Sequence, residues 1–128
     1  MFDHIGFPVA DFARSRAFYV QALAPLGIVV AKEVTVEMTG SEAYAGFGRN
    51  GRPQFWIGSG QKIEGRLHIA FEAQSRDLVQ AFYEAALAAG GIDNGAPGSR
   101  PHYHVNYYGA FVLDPDGHNI EAVCHLPG

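Results

Sequence analysis

The sequence has very little cysteine, no run of basic residues and no long apolar segment. Its single cysteine, Cys124, cannot form an internal disulfide, which excludes a disulfide-stapled secreted domain. The longest apolar stretches, such as residues 26–31, are far too short to span a bilayer. Nine basic and thirteen acidic residues give a net charge of −4, which argues against nucleic acid or a membrane as partner. Because the first residues contain no signal-like segment, we expect a cytoplasmic protein.

The composition that remains is that of one folded domain. The chain has 128 residues, of which 48% are hydrophobic and 17% charged, so it can bury one core but not two. Sixteen glycines indicate short elements joined by tight turns, as in an α+β domain.

The two halves of the sequence repeat one another at a constant offset. The matching blocks are His4-Ile5-x-Phe7 with His68-Ile69-x-Phe71, Ala17-Phe18-Tyr19 with Ala81-Phe82-Tyr83, Ala22-Leu23-Ala24 with Ala86-Leu87-Ala88, and Gly27-Ile28 with Gly91-Ile92. Identities clustered in this way indicate a tandem duplication. We therefore predict a single domain, residues 1–128, with module one at about 1–64 and module two at about 65–128.

Each half has the pattern of a βαβββ module. Residues 2–9 and 66–73 alternate as strands do, and Asp11 and Ser75 are N-cap residues that precede apolar residues at helical spacing. The later strand-like runs are 28–38, 43–49 and 53–59 in module one, and 102–107, 108–113 and 118–124 in module two. The Gly- and Pro-rich segment 94–99 predicts a loop beside the functional site.

Two histidines and one glutamate form a candidate metal site. His4 and His68 occupy equivalent places in the repeat, and Glu121 alternates with apolar neighbours in the last strand. Two imidazoles and a carboxylate can bind one face of a metal and leave positions open for substrate. The alternative is that each histidine hydrogen bonds locally, while Glu121 pairs with an arginine such as Arg49, Arg52 or Arg66.

The whole sequence resembles the vicinal oxygen chelate superfamily, which includes glyoxalase I, bleomycin-resistance proteins and extradiol dioxygenases. The motifs that carry the resemblance are Asp3-His4-Ile5-Gly6-Phe7-x-Val9-x-Asp11, Ala17-Phe18-Tyr19, His68-Ile69-Ala70-Phe71 and the segment from Asp114 to Val123. The resemblance implies an α+β fold of two tandem βαβββ modules, whose curved mixed sheets surround a central cavity. It also implies a divalent metal (zinc, nickel, iron or manganese) on His4, His68 and Glu121, and a homodimer that binds a small molecule.

The sequence departs from the two best-known branches of that superfamily. Glyoxalase I usually has a fourth ligand, a carboxylate in the last strand of module one, where this sequence has Ile57 in ungapped alignment or Trp56 with a one-residue gap. The dioxygenase pattern has a tyrosine three residues before the Asp-Pro turn, where this sequence has Phe111. A dioxygenase is therefore the less favoured enzyme.

Further residues near the predicted site are candidates for catalysis and substrate binding. His102 and His104 alternate on one face of the predicted strand 102–107 and are candidate proton acceptors. Trp56, Tyr107, Tyr108 and Phe111 are candidates for the lining of an apolar cavity, although strand aromatics more often belong to the core. His118, in a turn, is expected to be exposed to solvent.

Two functions from different classes are consistent with these features. The first is a glyoxalase-like metalloenzyme for isomerisation or lyase chemistry, in which the metal binds two neighbouring substrate oxygens. The second is a metal-free binding protein that sequesters a small molecule, as bleomycin-resistance proteins do. The retained pair of histidines with Glu121 favours the enzyme, because binding alone does not require all three.

Overall fold

The computed structural model describes residues 1–128 as eight strands, three α-helices and one short 3-10 turn. Module one contains β1 (Ile5–Val9), α1 (Phe12–Leu23), the 3-10 turn (Ala24–Leu26), β2 (Val29–Val34), α2 (Val36–Thr39), β3 (Tyr44–Gly48) and β4 (Phe55–Ser59). Module two contains β5 (His68–Glu72), α3 (Arg76–Ala88), β6 (Ile92–Ser99), β7 (Tyr108–Leu113) and β8 (Asn119–Cys124). No helix is long and apolar enough to cross a bilayer.

The strands form two four-stranded mixed sheets of identical topology. Their orders are β1-β4-β3-β2 and β5-β8-β7-β6, with the first pair of each sheet parallel and the others antiparallel. Both sheets are curved and neither closes into a barrel. The predicted α+β fold of two similar βαβββ modules is confirmed.

The sequence locates the start of both long helices correctly. The carboxylate of Asp11 accepts a hydrogen bond from the Arg14 N–H at 3.1 Å, and the hydroxyl of Ser75 accepts one from the Leu78 N–H at 3.2 Å. Each cap satisfies a backbone donor that the first turn of a helix leaves without an intrahelical partner.

The predicted loop 94–99 and the predicted strand 102–107 are both wrong. Residues 92–99 form β6, and residues 101–106 form turns, with Asn106 in the left-handed region at φ 66°. Gly95 makes the strand possible, because a Cβ at this position would lie 2.8 Å from the ring of Phe111 on β7. The glycines that signal a loop thus permit an irregular strand to approach an aromatic ring.

The predicted strand 28–38 is too long. The strand ends at Val34, and Thr35 caps the short helix α2, its hydroxyl accepting from the Met38 N–H at 3.3 Å. A local hydrogen bond from a threonine side chain here competes successfully with continued strand pairing.

The core lies between the two sheets and around α1 and α3, which pack against each other. One face of each sheet faces this core: Phe7, Val9, Ala45, Phe47, Phe55 and Ile57 from module one, and Ala110, Val112, Ile120 and Ala122 from module two. Because neighbouring residues of a strand point to opposite sides, each sheet presents a second face away from the core. We call these the module-one face (Gly6, Pro8, Tyr44, Gly46, Trp56, Gly58) and the module-two face (His68, Ala70, Gly109, Phe111, Asn119, Glu121).

A buried carboxylate joins the two modules through the turn between β7 and β8. Asp114 accepts hydrogen bonds from the Tyr19 hydroxyl of α1 at 2.5 Å and from the backbone N–H groups of Asp116 and His118. Burial, together with this carboxylate, raises the pKa of Tyr19 well above its usual value, so the phenol stays a donor.

The expectation that His118 is exposed is wrong. The residue is fully buried, its Nδ1 accepts a hydrogen bond from the Leu67 N–H at 3.0 Å, and its ring packs edge-on against Phe7. The turn Asp114–Gly117 therefore folds against module one, although turns usually lie at the surface.

Candidate functional site

The module-two face brings an imidazole and a carboxylate together. In the parallel pair β5–β8, His68 lies beside Asn119 and Ala70 beside Glu121, so the side chains of His68 and Glu121 emerge on the same face. The Nε2 atom of His68 lies 2.8 Å from Oε1 of Glu121. The Glu121 side chain is 1% exposed and that of His68 is 55% exposed, so the pair has a buried end and an open end.

Tyr107 contacts the second oxygen of the Glu121 carboxylate. Its hydroxyl donates a hydrogen bond to Oε2 of Glu121. Burial raises the pKa of Tyr107, the hydrogen bond to Glu121 raises it further, and the Arg100 guanidinium acts in the opposite direction. Gly109 leaves the space that this arrangement needs, because a Cβ there would lie 3.0 Å from Oε2. Both oxygens of the buried carboxylate are therefore held in place, as a buried charge requires.

Phe111 extends this face toward β6. It lies opposite Glu121 in the antiparallel pair β7–β8, and the centre of its ring is 6.1 Å from that of His68. The guanidinium of Arg100 lies 5.2 Å from the centre of the Phe111 ring. Sequence reasoning missed Arg100, and its signal is the pair of preceding glycines, Gly95 and Gly98, on which a Cβ would lie 3.2 Å from the guanidinium nitrogens.

The module-one face forms a separate pocket of about 500 Å³. Its lining comes from module one alone: His4, Gly6, Phe7, Pro8, Tyr44, Trp56, Ile57, Gly58 and Ser59. The His4 side chain is 59% exposed, and its Nδ1 lies 2.7 Å from a carboxylate oxygen of Asp3. This pocket offers an aromatic surface with one imidazole at its edge.

Strand register decides which residue of module one corresponds to Glu121. In the pair β1–β4, Gly6 lies beside Trp56, just as Ala70 lies beside Glu121 in the pair β5–β8. The structural counterpart of Glu121 is therefore Trp56, the gapped alternative, and not Ile57. The indole packs over Gly46, where a Cβ would lie 2.8 Å from its ring.

One chain unites two of the three predicted metal ligands. No three His, Cys, Asp or Glu side chains come together within the chain in a way that could hold a metal ion. His68 and Glu121 are in contact, whereas His4 lies in the module-one pocket. The shared ligand set of His4, His68 and Glu121 stays a prediction.

The predicted catalytic histidines lie in the turn segment that leads into β7. His102 and His104 are both exposed, and the Nδ1 of His104 lies 2.7 Å from the carbonyl oxygen of Val105. Edge-on ring contacts lead from His104 to His125 and from His125 to Tyr107, with ring centres 5.6 Å and 5.3 Å apart. His104 is thus linked through aromatic contacts to the tyrosine that holds Glu121.

Of the two adjacent tyrosines, only one belongs to the module-two face. Tyr107 contacts Glu121, whereas Tyr108 packs against the core, and its hydroxyl accepts a hydrogen bond from Gln80 at 2.9 Å. Trp56 lines the module-one pocket and Phe111 the module-two face.

The donors on the module-two face fit a divalent metal in kind. Imidazole nitrogen and carboxylate oxygen are the ligands that zinc, nickel, iron and manganese share, and here both stand on paired strands. Tyr107 would orient the glutamate, as a hydrogen-bonding partner of a ligand does. Two donors are fewer than the three that open catalytic sites use, so the set needs one more residue.

The chain matches a protein-family model and is similar to proteins of known structure. The model of the Glyoxalase/Bleomycin resistance protein/Dioxygenase superfamily matches residues 1–122. The chain is similar to the crystal structure of a glyoxalase/bleomycin resistance protein from Albidiferax ferrireducens T118, with 28% identity, a TM-score of 0.71 and 99% of each chain covered. No curated protein sequence matches the chain.

Two more distant structures share the fold. Glyoxalase I from Zea mays has 20% identity and a TM-score of 0.72 over 95% of this chain and 45% of its own, so this chain spans about half of it. The fosfomycin resistance protein FosX from Listeria monocytogenes has 20% identity and a TM-score of 0.66, with 94% and 88% covered.

Proposed function

Because the chain belongs to the glyoxalase/bleomycin resistance protein/dioxygenase superfamily, we propose that it is a small metal-dependent enzyme of the glyoxalase type. In this proposal the enzyme binds a small substrate with two neighbouring oxygens and catalyses an isomerisation or lyase reaction. His68, Glu121 and His4 hold the divalent ion, which when bound supplies Lewis-acid polarisation of the substrate oxygens. The observation that carries the proposal is the 2.8 Å contact between His68 and the buried Glu121.

The third ligand comes from a second copy of the chain in this proposal. Within one chain, the module-one and module-two faces both point away from the core, and His4 belongs to the first while His68 and Glu121 belong to the second. A twofold dimer that stacks the module-one face of one protomer on the module-two face of its partner forms two equal sites. The same contact covers Tyr44, an exposed aromatic side chain of the module-one face.

The chain offers a proton acceptor in His104, which is linked through the ring of His125 to the tyrosine that contacts Glu121. The carbonyl of Val105 can only accept, so Nδ1 of His104 carries the proton in the neutral ring and Nε2 is left free to accept one. We assign His104 the role of general base, with His102 as the alternative. Tyr107, Phe111 and the partner's Trp56 bind the substrate, whereas Tyr108 packs against the core and does not line this face.

Mixing two inactive variants tests the shared site. His4→Ala and Glu121→Gln should each bind no metal, whereas an equimolar mixture after subunit exchange should regain about one quarter of the wild-type metal content. The reason is that half of the dimers are mixed, and one of the two sites in a mixed dimer has all three ligands. Elemental analysis of the purified mixture measures the recovery.

The control is the mixture of His68→Ala with Glu121→Gln, which removes two ligands from the same module. This mixture should regain nothing, because every site lacks a ligand from the module-two face. Recovery in the control, or none in the first mixture despite proven subunit exchange, would contradict a site shared between copies.

A second candidate function is metal-free binding of a small molecule. The observation that favours it is the module-one pocket of about 500 Å³, which is lined by Trp56 and Tyr44 and contains only one imidazole. Titration of the metal-free protein with small aromatic compounds, followed by Trp56 fluorescence, tests it.

A dioxygenase is less favoured because Phe111 stands on the module-two face in place of a tyrosine. The free cysteine Cys124 supports a cytoplasmic location.

A further inference from the structure

The guanidinium of Arg100 is held in place at the edge of the module-two face. Its Nη1 donates to the Gly98 carbonyl and its Nη2 to the Ala96 carbonyl, both at 3.1 Å, and its planar group lies over the Phe111 ring. The backbone N–H of Arg100 donates to the Tyr107 carbonyl at 2.8 Å, which places the arginine next to the tyrosine that contacts Glu121. A long, flexible side chain is therefore already ordered before any ligand arrives.

This ordered cation has no anionic partner. The ion pairs of the chain are those of Asp3 with His4 and Arg52, of Arg16 with Glu33, and of His68 with Glu121. Glu121, the carboxylate of this face, already has a partner on each oxygen. A guanidinium has five N–H groups, and the two backbone carbonyls use two of them, so three remain available.

Gly95 and Gly98 of β6 leave the space in which the Arg100 side chain lies. A Cβ on Gly95 or Gly98 would lie 3.2 Å from a guanidinium nitrogen, and one on Gly95 would also meet the Phe111 ring at 2.8 Å. The irregular strand thus keeps open the space in which Arg100 lies flat between its own backbone and an aromatic ring. Arginine in such a setting binds oxyanions through a planar pair of hydrogen bonds.

We infer that the substrate of this face is a small organic anion, whose carboxylate or phosphonate group binds to Arg100. The inference rests on the proposed function, because it takes the module-two face as the substrate site. The neighbouring oxygens of the substrate lie toward His68 and Glu121, and its anionic group lies toward β6. Phe111, which contacts both His68 and Arg100, packs against the carbon skeleton between them.

Phenylphosphonate, benzoate and the neutral benzyl alcohol serve as probes for this inference. The full chain is titrated with each as purified and again after treatment with EDTA, and binding is followed by calorimetry and by the Nε–Hε NMR signal of Arg100. We expect the two anions to bind and to shift that signal. Arg100→Gln should weaken their binding about tenfold or more, and Arg100→Lys should restore only part of it, because lysine lacks the planar fork.

Arg14→Gln, on the exposed side of α1, is the matched control and should bind the anions like the wild type. Equal binding of the anions by Arg100→Gln and wild type, or equal binding of benzyl alcohol and benzoate by the wild type, would overturn the inference. Metal content separates this result from the proposed function. Arg100→Gln should keep the metal, whereas Glu121→Gln should lose it and, after EDTA, still bind phenylphosphonate through Arg100.

Discussion

Glu121→Gln is expected to lower the affinity for a divalent metal by more than about a hundredfold, since loss of a group that only supports a ligand already costs 10–100-fold. The amide preserves the size of the side chain but removes the negative charge that His68 and Tyr107 now surround. Calorimetric titration of the metal-free protein with zinc and nickel measures the change. The effect should exceed that of any change outside the ligand set.

Glu72→Gln is the control, because Glu72 stands on the same face of β5 as His68 but is exposed and holds no ligand position. It should bind metal like the wild type. Unchanged metal binding by Glu121→Gln, with Glu72→Gln also unchanged, would contradict the metal site and with it the enzyme function proposed above.

Asp114→Ala is expected to lower the free energy of unfolding by about 3–5 kcal/mol, because two buried donors and one half-buried donor lose their acceptor at once. These donors are the Tyr19 hydroxyl and the N–H groups of Asp116 and His118. Such a loss corresponds to a fall of about 10–20 °C in melting temperature. Urea unfolding and calorimetry measure the change.

Asp116→Ala provides the comparison in the same turn. Asp116 accepts one hydrogen bond, from the Ala10 N–H at 3.0 Å, and this bond is exposed. We expect a loss of about 1 kcal/mol or less. Equal effects of the two substitutions would show that the Asp114 carboxylate does not join the modules in the way described.

The repeat and the local patterns predicted the fold well, for reasons that are local in the chain. Helix starts depend on one cap residue and the spacing that follows, and both Asp11 and Ser75 act as caps. Segment 94–99 was predicted wrongly because glycine signals a loop by its own preference, while Phe111 on another strand requires glycine for contact. His118 was misplaced for the same kind of reason, since burial of its turn depends on module one.

The candidate site was predictable only in part. Alternation along β8 and the first histidine of module two suffice to pair His68 with Glu121, since both depend on strand register. The position of His4 relative to that pair depends on how the modules pack, and no residue pattern within one module determines that. Arg100 escaped notice because its placement depends on the carbonyls of an irregular strand that the sequence did not predict.

The correspondence of Trp56 with Glu121 has a consequence for the evolution of the duplicated chain. Immediately after the duplication, the two halves would have carried the same side chain at this position. At this position module one now has an indole and module two a carboxylate. Trp56 therefore adds apolar surface to the module-one face, and Glu121 adds a negative charge to the module-two face. Glyoxalase I, which the chain resembles, usually has an acidic residue at this position in both halves, so in the proposed metal site the tryptophan would remove one protein ligand. In that proposed site, Trp56 would leave one more ligand position for a substrate oxygen.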